Sequence, residues 1–281
     1  MAFNPGYAGS SDMICANALS RQQWVGFKGA PSTTLFNVNA PVKPFGIKSG
    51  VGLSFINDKL GFSNNLNVAG TYAYQMDLGK GKLGIGVSLG FYNQTLEPDW
   101  FIPSSDYHTQ PSGDPLIPEN KESVFVFDMG FGLYFQTDQL FVGLSSTHLN
   151  EANLKYTKGT PYLKRHYILM AGYDLRLANP LFEIIPSMQI LSDGISSEIT
   201  FNTNLLYNKK FWGGVSYKAG SAIVGLLGIQ LFNGVRLSYA YEFPTSDLIR
   251  GTTGSHEFMV SYCFNMSVER SPKKYKSIRF L

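Results

Sequence analysis

The sequence predicts an all-β protein: a transmembrane, antiparallel, up-and-down β-barrel of about fourteen strands. Three observations carry that prediction. Short stretches alternate one apolar residue with one small or polar residue, the period-two signature of a strand with two unlike faces. Leu83, Ile85, Val87, Leu89 and Phe91 interleave with Gly84, Gly86, Ser88 and Gly90, while Phe125, Phe127, Met129, Phe131, Leu133 and Phe135 interleave with Val126, Asp128, Gly130, Gly132 and Tyr134. The apolar faces are large and aromatic, and the opposite faces hold Gly, Ser, Asn and Thr with little charge, the reverse of a soluble sandwich. Finally, the connections alternate between short and longer.

Composition agrees. Charged residues make up 15% of the 281-residue chain, below the quarter or so usual in soluble proteins, and aromatics make up 14%. Mean hydropathy is −0.05, and no apolar run is long enough for a membrane-spanning helix. A barrel has this bland average because only alternate strand residues face lipid.

The strands are expected at about 14–26, 32–42, 45–57, 64–77, 81–94, 122–136, 139–148, 163–177, 181–192, 197–208, 211–218, 221–232, 234–244 and 255–266. One set of connections is short: Pro41–Pro44, Gly79–Gly81, Thr137-Asp138, Ala178–Pro180, Asn208–Lys210 and Asn233-Gly234, the last a strong type I′ hairpin signal. The other set, at 58–63, 95–121, 149–162, 193–196, 219–220 and 245–254, is mostly longer. Outer-membrane barrels have short periplasmic turns and longer extracellular loops, so an even strand count places both termini in the periplasm. The expected organisation is an N-terminal periplasmic or plug-like segment at 1–13, the barrel at 14–266, and a basic periplasmic tail at 267–281. No basic-then-apolar leader opens the chain, which under the barrel reading points to a mature or trimmed chain in the outer membrane.

The apolar phase, including Val51, Leu53, Phe55, Val68, Tyr72, Tyr74, Phe201, Leu237 and Tyr239, is expected to meet lipid. The other phase carries Lys48, Asp128, Asp174, Arg176, Glu183, Glu198, Arg236, Glu242 and Glu257 into the lumen. The mixed signs fit either a lumen crossed by salt bridges or charges lining water. Cys15 begins the first strand and Cys263 ends the last, so both thiols fall near one rim and facing inward, where a disulfide would lock the seam.

The search for chemistry finds none. The four histidines, His108, His148, His166 and His256, lack metal-ligand spacing, and no nucleophile elbow, phosphate loop or CxxC occurs. The expectation is therefore no enzyme, no cofactor, no metal and no nucleic-acid partner. The 95–121 connection holds five prolines with Trp100, Phe101 and Tyr107, a composition for an ordered lid or binding surface. The tail, with Lys273, Lys274, Lys276 and Arg279, reads either as a solvated end or as a docking peptide for a periplasmic partner.

The N-terminal third also resembles a known family. Asn4-Pro5-Gly6-Tyr7-Ala8-Gly9-Ser10 is similar to the NPAYAG opening of the PorP/SprF outer-membrane proteins of Bacteroidota, with Gly6 where Ala is common. Arg21-Gln22-Gln23-Trp24-Val25-Gly26, then Gly29-Ala30-Pro31-Ser32-Thr33, resemble that family's R-x-Q-W-x-G and G-A-P-x-T segments, and the similarity extends over about the first 95 residues. The resemblance implies a barrel of the type IX secretion and gliding machinery that anchors, or helps export, a secreted surface adhesin. Its implied partners are that adhesin or its C-terminal domain, and periplasmic and outer-membrane components of the system, with outer-membrane lipid around the barrel. Within the motif, Arg21, Gln23, Trp24 and Pro31 are candidates for partner contact, set against a plain role in shaping the first hairpin. The alternative function is a channel for small, including hydrophobic, solutes.

Overall fold

A computed structural model describes residues 1–98, 120–231 and 234–265. The strands are β1 (Ile14–Gln22), β2 (Ser32–Val42), β3 (Ser49–Leu60), β4 (Ser63–Leu78), β5 (Gly81–Leu96), β6 (Glu122–Gln136), β7 (Leu140–Thr147) and β8 (His166–Tyr173, resumed after Asp174 as Leu175–Arg176). There follow β9 (Phe182–Ser192), β10 (Ser197–Tyr207), β11 (Phe211–Lys218), β12 (Ala222–Gln230), β13 (Val235–Pro244) and β14 (Ser255–Phe264). Each pairs antiparallel with the next, and β14 pairs with β1 from Phe264 opposite Ile14 to His256 opposite Gln22, so that the described residues close a fourteen-stranded barrel with no free edge among them.

The alternation sorts residues as lipid on one side and a polar interior on the other require. Leu53, Leu89, Phe125, Phe201, Val215, Leu227 and Phe258 are more than half exposed on the outer face. The buried set is largely polar: Asn37, Asn39, Ser54, Thr71, Gln75, Asp128, Ser145, Ser216 and Ser261 all point inward and are at most 8% exposed. An interior more polar than the surface is the arrangement for a wall solvated by hydrocarbon.

The rim that carries both ends of the barrel, the terminal rim, has tight turns. Between β10 and β11, Asn208 and Lys209 both take positive φ (50° and 53°), as the centre of a type I′ turn demands. Gly79 (φ 60°) serves β4 and β5. Of the expected Asn233-Gly234 turn, Asn233 lies outside the described residues, and Gly234 has φ 86°. At the far rim, the expected loop over 58–63 shrinks to Gly61 and Phe62, because β3 runs on to Leu60 and β4 starts at Ser63. The first strand is also shorter than 14–26: pairing stops at Gln22, after which Trp24 takes φ 48°.

Across the seam Cys15 sits directly opposite Cys263, with Cα atoms 4.1 Å apart and the two sulfurs bonded. The 248-residue separation makes this cross-link a clamp on the two ends of the barrel wall.

A half-filled lumen as the candidate functional site

The N-terminal segment enters the barrel and fills the side bounded by β3–β7. Asn4 is 2% exposed and starts a single 3-10 turn, Pro5–Tyr7; its Oδ1 accepts from Gly6 N at 2.9 Å, and Pro5 supplies the pre-set φ of a first helical position. Asn4 Nδ2 donates to the carbonyls of Leu133 (2.8 Å) and Leu144 (3.4 Å) in the wall. The wall reaches back: Gln75 Nε2 donates to the carbonyls of Gly6 (3.1 Å) and Ala8 (2.7 Å), Gln136 Nε2 to Ser10 (2.8 Å), and Ser145 Oγ to Phe3 (2.5 Å). Tyr7 packs edge-on against Tyr134 at 5.2 Å, and burial pushes its phenol pKa up. Lys82 pairs with Asp12 at the foot of the segment.

This approach is backbone to backbone, which explains glycines in the lumen phase. A Cβ on Gly6 would stand 2.7 Å from the Gly84 carbonyl and 2.9 Å from that of Gly132; one on Gly86 would run into the Pro5–Gly6 peptide; one on Gly50 would run into Ala8.

Beyond this wedge, toward the far rim, lies a chamber of about 240 Å³ lined by Phe3, Ser54, Thr71, Asp128, His148 and Ile168 among others. Its polar end is a closed network. Asp128, 8% exposed, accepts from Asn67 Nδ2 and its neighbour Met129 N, each at 3.0 Å, and lies 3.0 Å from His148 Nδ1. The His148 ring meets those of His166 (5.6 Å) and Tyr92 (5.8 Å). The connection 148–165 folds over this end. Its Leu154 and Leu163 are 3% and 8% exposed, Tyr156 Oη donates to Gln94 Oε1 at 2.9 Å, and Arg165 Nη2 donates to the Leu149 carbonyl at 2.7 Å. Burial pushes the Tyr156 phenol up to about 12.

The wall from β9 round to β1 is different. Its inward side chains bond to one another along the wall: Ser216 Oγ donates to Asn202 (2.8 Å), Asn202 to Ser187 (3.2 Å), Ser261 Oγ to Asn17 (2.6 Å), and Asn17 to Asn37 (2.9 Å). Near the far rim Glu242 Oε2 accepts from Arg21 at 2.9 Å and Lys218 at 2.7 Å, with Glu257 4.0 Å from Arg21. Glu242 thus pairs with cations two strands away on either side, and Glu257 with Arg21 on the adjacent strand.

Of the candidate residues, Arg21 faces the lumen in that network. Gln23 lies past the end of β1, its N–H donating to the carbonyl of the buried Pro31 at 2.9 Å. Trp24 belongs to a turn and not to the strand phase; its N–H donates to Ser255 Oγ at 3.2 Å. Val25 then joins the β13–β14 loop, its N–H donating to Gly254 O (2.8 Å) and its carbonyl accepting from Thr253 N (2.8 Å). Arg21, Trp24 and Pro31 therefore converge on one side of the far rim. Trp100, Phe101, Tyr107, Lys273, Lys274, Lys276 and Arg279 lie outside the described residues. Sequence reasoning missed Gln75, Gln136 and Ser145, which hold the wedge, and the Asp128–His148–His166 layer. The signal for the first group was the Gly-rich lumen phase of β5 and β6. Among the described residues no cluster of three or more His, Cys, Asp or Glu is arranged to hold a metal ion.

Residues 1–262 match a family model described as type IX secretion system membrane protein PorP/SprF. No curated protein sequence matches the chain. Among solved structures it is similar to Omp33, an outer-membrane protein of Acinetobacter baumannii (9% identity, 90% of this chain and 99% of that one, TM-score 0.52). It is likewise similar to the TodX deltaS2S3 mutant monoaromatic hydrocarbon channel (11% identity, 90% and 89%, TM-score 0.52), and to the toluene transporter TbuX of Ralstonia pickettii (12% identity, 92% and 91%, TM-score 0.52). At these identities the likeness is one of fold.

Proposed function

Because the chain belongs to the type IX secretion system membrane protein PorP/SprF family, we propose that this outer-membrane barrel anchors, or helps export, a secreted surface protein and couples it to periplasmic components of the system. It does so as a non-enzymatic scaffold. The terminal rim faces the periplasm, following the rule of short periplasmic turns. The segment 1–13 is a fixed plug, and the basic 267–281 tail is a periplasmic contact. Arg21, Trp24, Pro31 and the 95–121 connection contribute to the surface that meets the secreted protein.

The observation that carries the reading is the unequal lumen. On the β3–β7 side, wall side chains hold the wedge by its backbone carbonyls, so that half is occupied by the protein itself. The amide- and hydroxyl-lined wall from β9 to β1, with its ion-paired upper end, is the surface left for a polypeptide, whose backbone asks for such donors and acceptors. Deleting the gene and scoring type IX cargo by protease accessibility on intact cells tests this. Loss of surface cargo, restored by the full chain, is expected; unchanged display would reject the reading.

The second reading, a channel for small solutes, draws on the 240 Å³ chamber and on neighbours whose names are those of hydrocarbon transporters. Uptake into proteoliposomes discriminates: substantial flux of a small aromatic solute favours transport, and none favours the scaffold.

A further inference from the structure

One turn on the terminal rim combines two features that folding alone does not ask for. Between β2 and β3 the chain runs Lys43-Pro44-Phe45-Gly46-Ile47-Lys48, with Phe45 102% exposed and at φ 52°. Bulky side chains rarely adopt that left-handed conformation. The other left-handed non-glycine residues described on this rim are the polar Asp12, Asn208 and Lys209, and at Phe45 the next residue is already a glycine (Gly46, φ 82°). The turn is nonetheless well made, with Ile47 N donating to the Pro44 carbonyl at 2.9 Å, so the ring is held out rather than frayed. Half-exposed Ile47 extends the apolar surface. Strain and exposure at one residue point to a role outside the fold.

The surroundings define a surface. Ser49 pairs with Tyr74, so residues 43–48 stand past the outward Tyr72 and Tyr74 of the wall. Lys48 Nζ bonds Asp77 Oδ2 at 2.5 Å, tying the turn to a hollow of about 510 Å³ lined by Ser10, Asp12, Asp77, Lys80, Gln136 and Asp138. Lys43 and Lys80, both exposed, enter no ion pair among the described residues. An aromatic knob, two available cations and an adjoining polar hollow form a docking face.

We propose that this corner of the terminal rim seats a periplasmic protein of the same secretion machinery. Its complementary face carries an apolar socket for the Phe45 ring, carboxylates opposite Lys43 and Lys80, and a polar loop that enters the hollow. The proposal rests on the reading that the terminal rim faces the periplasm. Central aromatic anchors with a polar surround are the usual energetic core of such interfaces.

The test uses the full chain purified from outer membranes in mild detergent, with type IX periplasmic components quantified per barrel by mass spectrometry. Phe45→Gly removes the ring and suits the left-handed backbone, so its melting temperature should equal or exceed that of the wild type. Ile195→Gly removes an 83% exposed side chain at the opposite rim and serves as the control. At least a roughly tenfold loss of those components with Phe45→Gly, the size expected for an interface anchor, a similar but salt-sensitive loss with Lys80→Glu, and no loss with Ile195→Gly are expected. Wild-type recovery with Phe45→Gly overturns the proposal alone. Quenching of a Phe45→Trp variant by brominated lipid in proteoliposomes also overturns it, assigning the ring to the bilayer. Absence of every periplasmic component from the wild-type preparation overturns the proposed function, and the docking face with it.

Discussion

Along β5 and β6, three lumen-facing glycines meet the N-terminal wedge: Gly84 and Gly86 lie against its backbone at Pro5–Gly6, and Gly132 against the side chains of Asn4 and Pro5. Along β11 and β12 they meet the wall's own side chains: Trp212 lies over Gly228, and Asn204 over Gly214. Both regions are cut from the same alternating pattern and the same residue types, yet one half of the interior is filled by a separate piece of chain and the other is finished by its own side chains. A glycine in a barrel lumen therefore marks close approach without saying of what. The difference separates a half that is structural from a half that is available, and four perturbations set the two against each other.

The largest effect should come from Gly86→Val. The added side chain would run into the Pro5–Gly6 peptide, and backbone cannot yield as a rotamer can, so about 3 kcal/mol of stability is lost, toward the upper end for overpacking. The N-terminal segment should then become cleavable by added protease. Gly225→Val, on the outer face where a Cβ meets nothing within 4 Å, should stay within about 0.5 kcal/mol of wild type. Equal losses in urea titrations of the two would erase the distinction between the halves.

Next in size is the seam. Replacing Cys15 and Cys263 by serine frees the two ends of the wall and should cost about 2–4 kcal/mol under oxidising conditions and nothing once reductant is present. Thermal unfolding with and without reductant reads this directly. Asn4→Ala comes third. It leaves two wall carbonyls without their donor in a buried site, for about 2 kcal/mol, and should raise N-terminal cleavage without changing cargo binding. Smallest is Glu242→Gln in the other half. It leaves Arg21 and Lys218 without their shared carboxylate, but the amide oxygen still accepts from one of them and Glu257 remains beside Arg21, so only about 1 kcal/mol is expected. Its stronger signature should be in cargo binding, which Asn4→Ala leaves alone.

Much of the barrel was legible because a two-residue period is a local property. The strand order, the outward set Leu53, Phe55, Tyr72 and Phe201, and the inward set Asp128, Glu242 and Glu257 all follow from it. Boundaries were less legible. The strand at β3 outran its expected end because Asp58, Lys59 and Leu60 still pair with β4, a long-range term that propensity does not contain. The connection 149–162 looked like bare loop. Its bridges, Asn153 to Tyr162 and Tyr156 to Gly159, and its buried Leu154, like Leu163 just past it, depend on a lid position that only the closed barrel creates. The partners of the N-terminal wedge were not legible either. Asn4 reaches Leu133 and Leu144, more than a hundred residues away, and no spacing rule connects them.

The central claim is that the β9–β1 side of the lumen, and not the side filled by the wedge, engages the secreted protein. A photo-reactive amino acid at Asn202 and another at Asn67, each in cells exporting type IX cargo, tests it most directly. The account predicts a cross-link between residue 202 and the cargo, with none from residue 67. Equal cross-linking from both positions, or cargo captured from 67 alone, would contradict it.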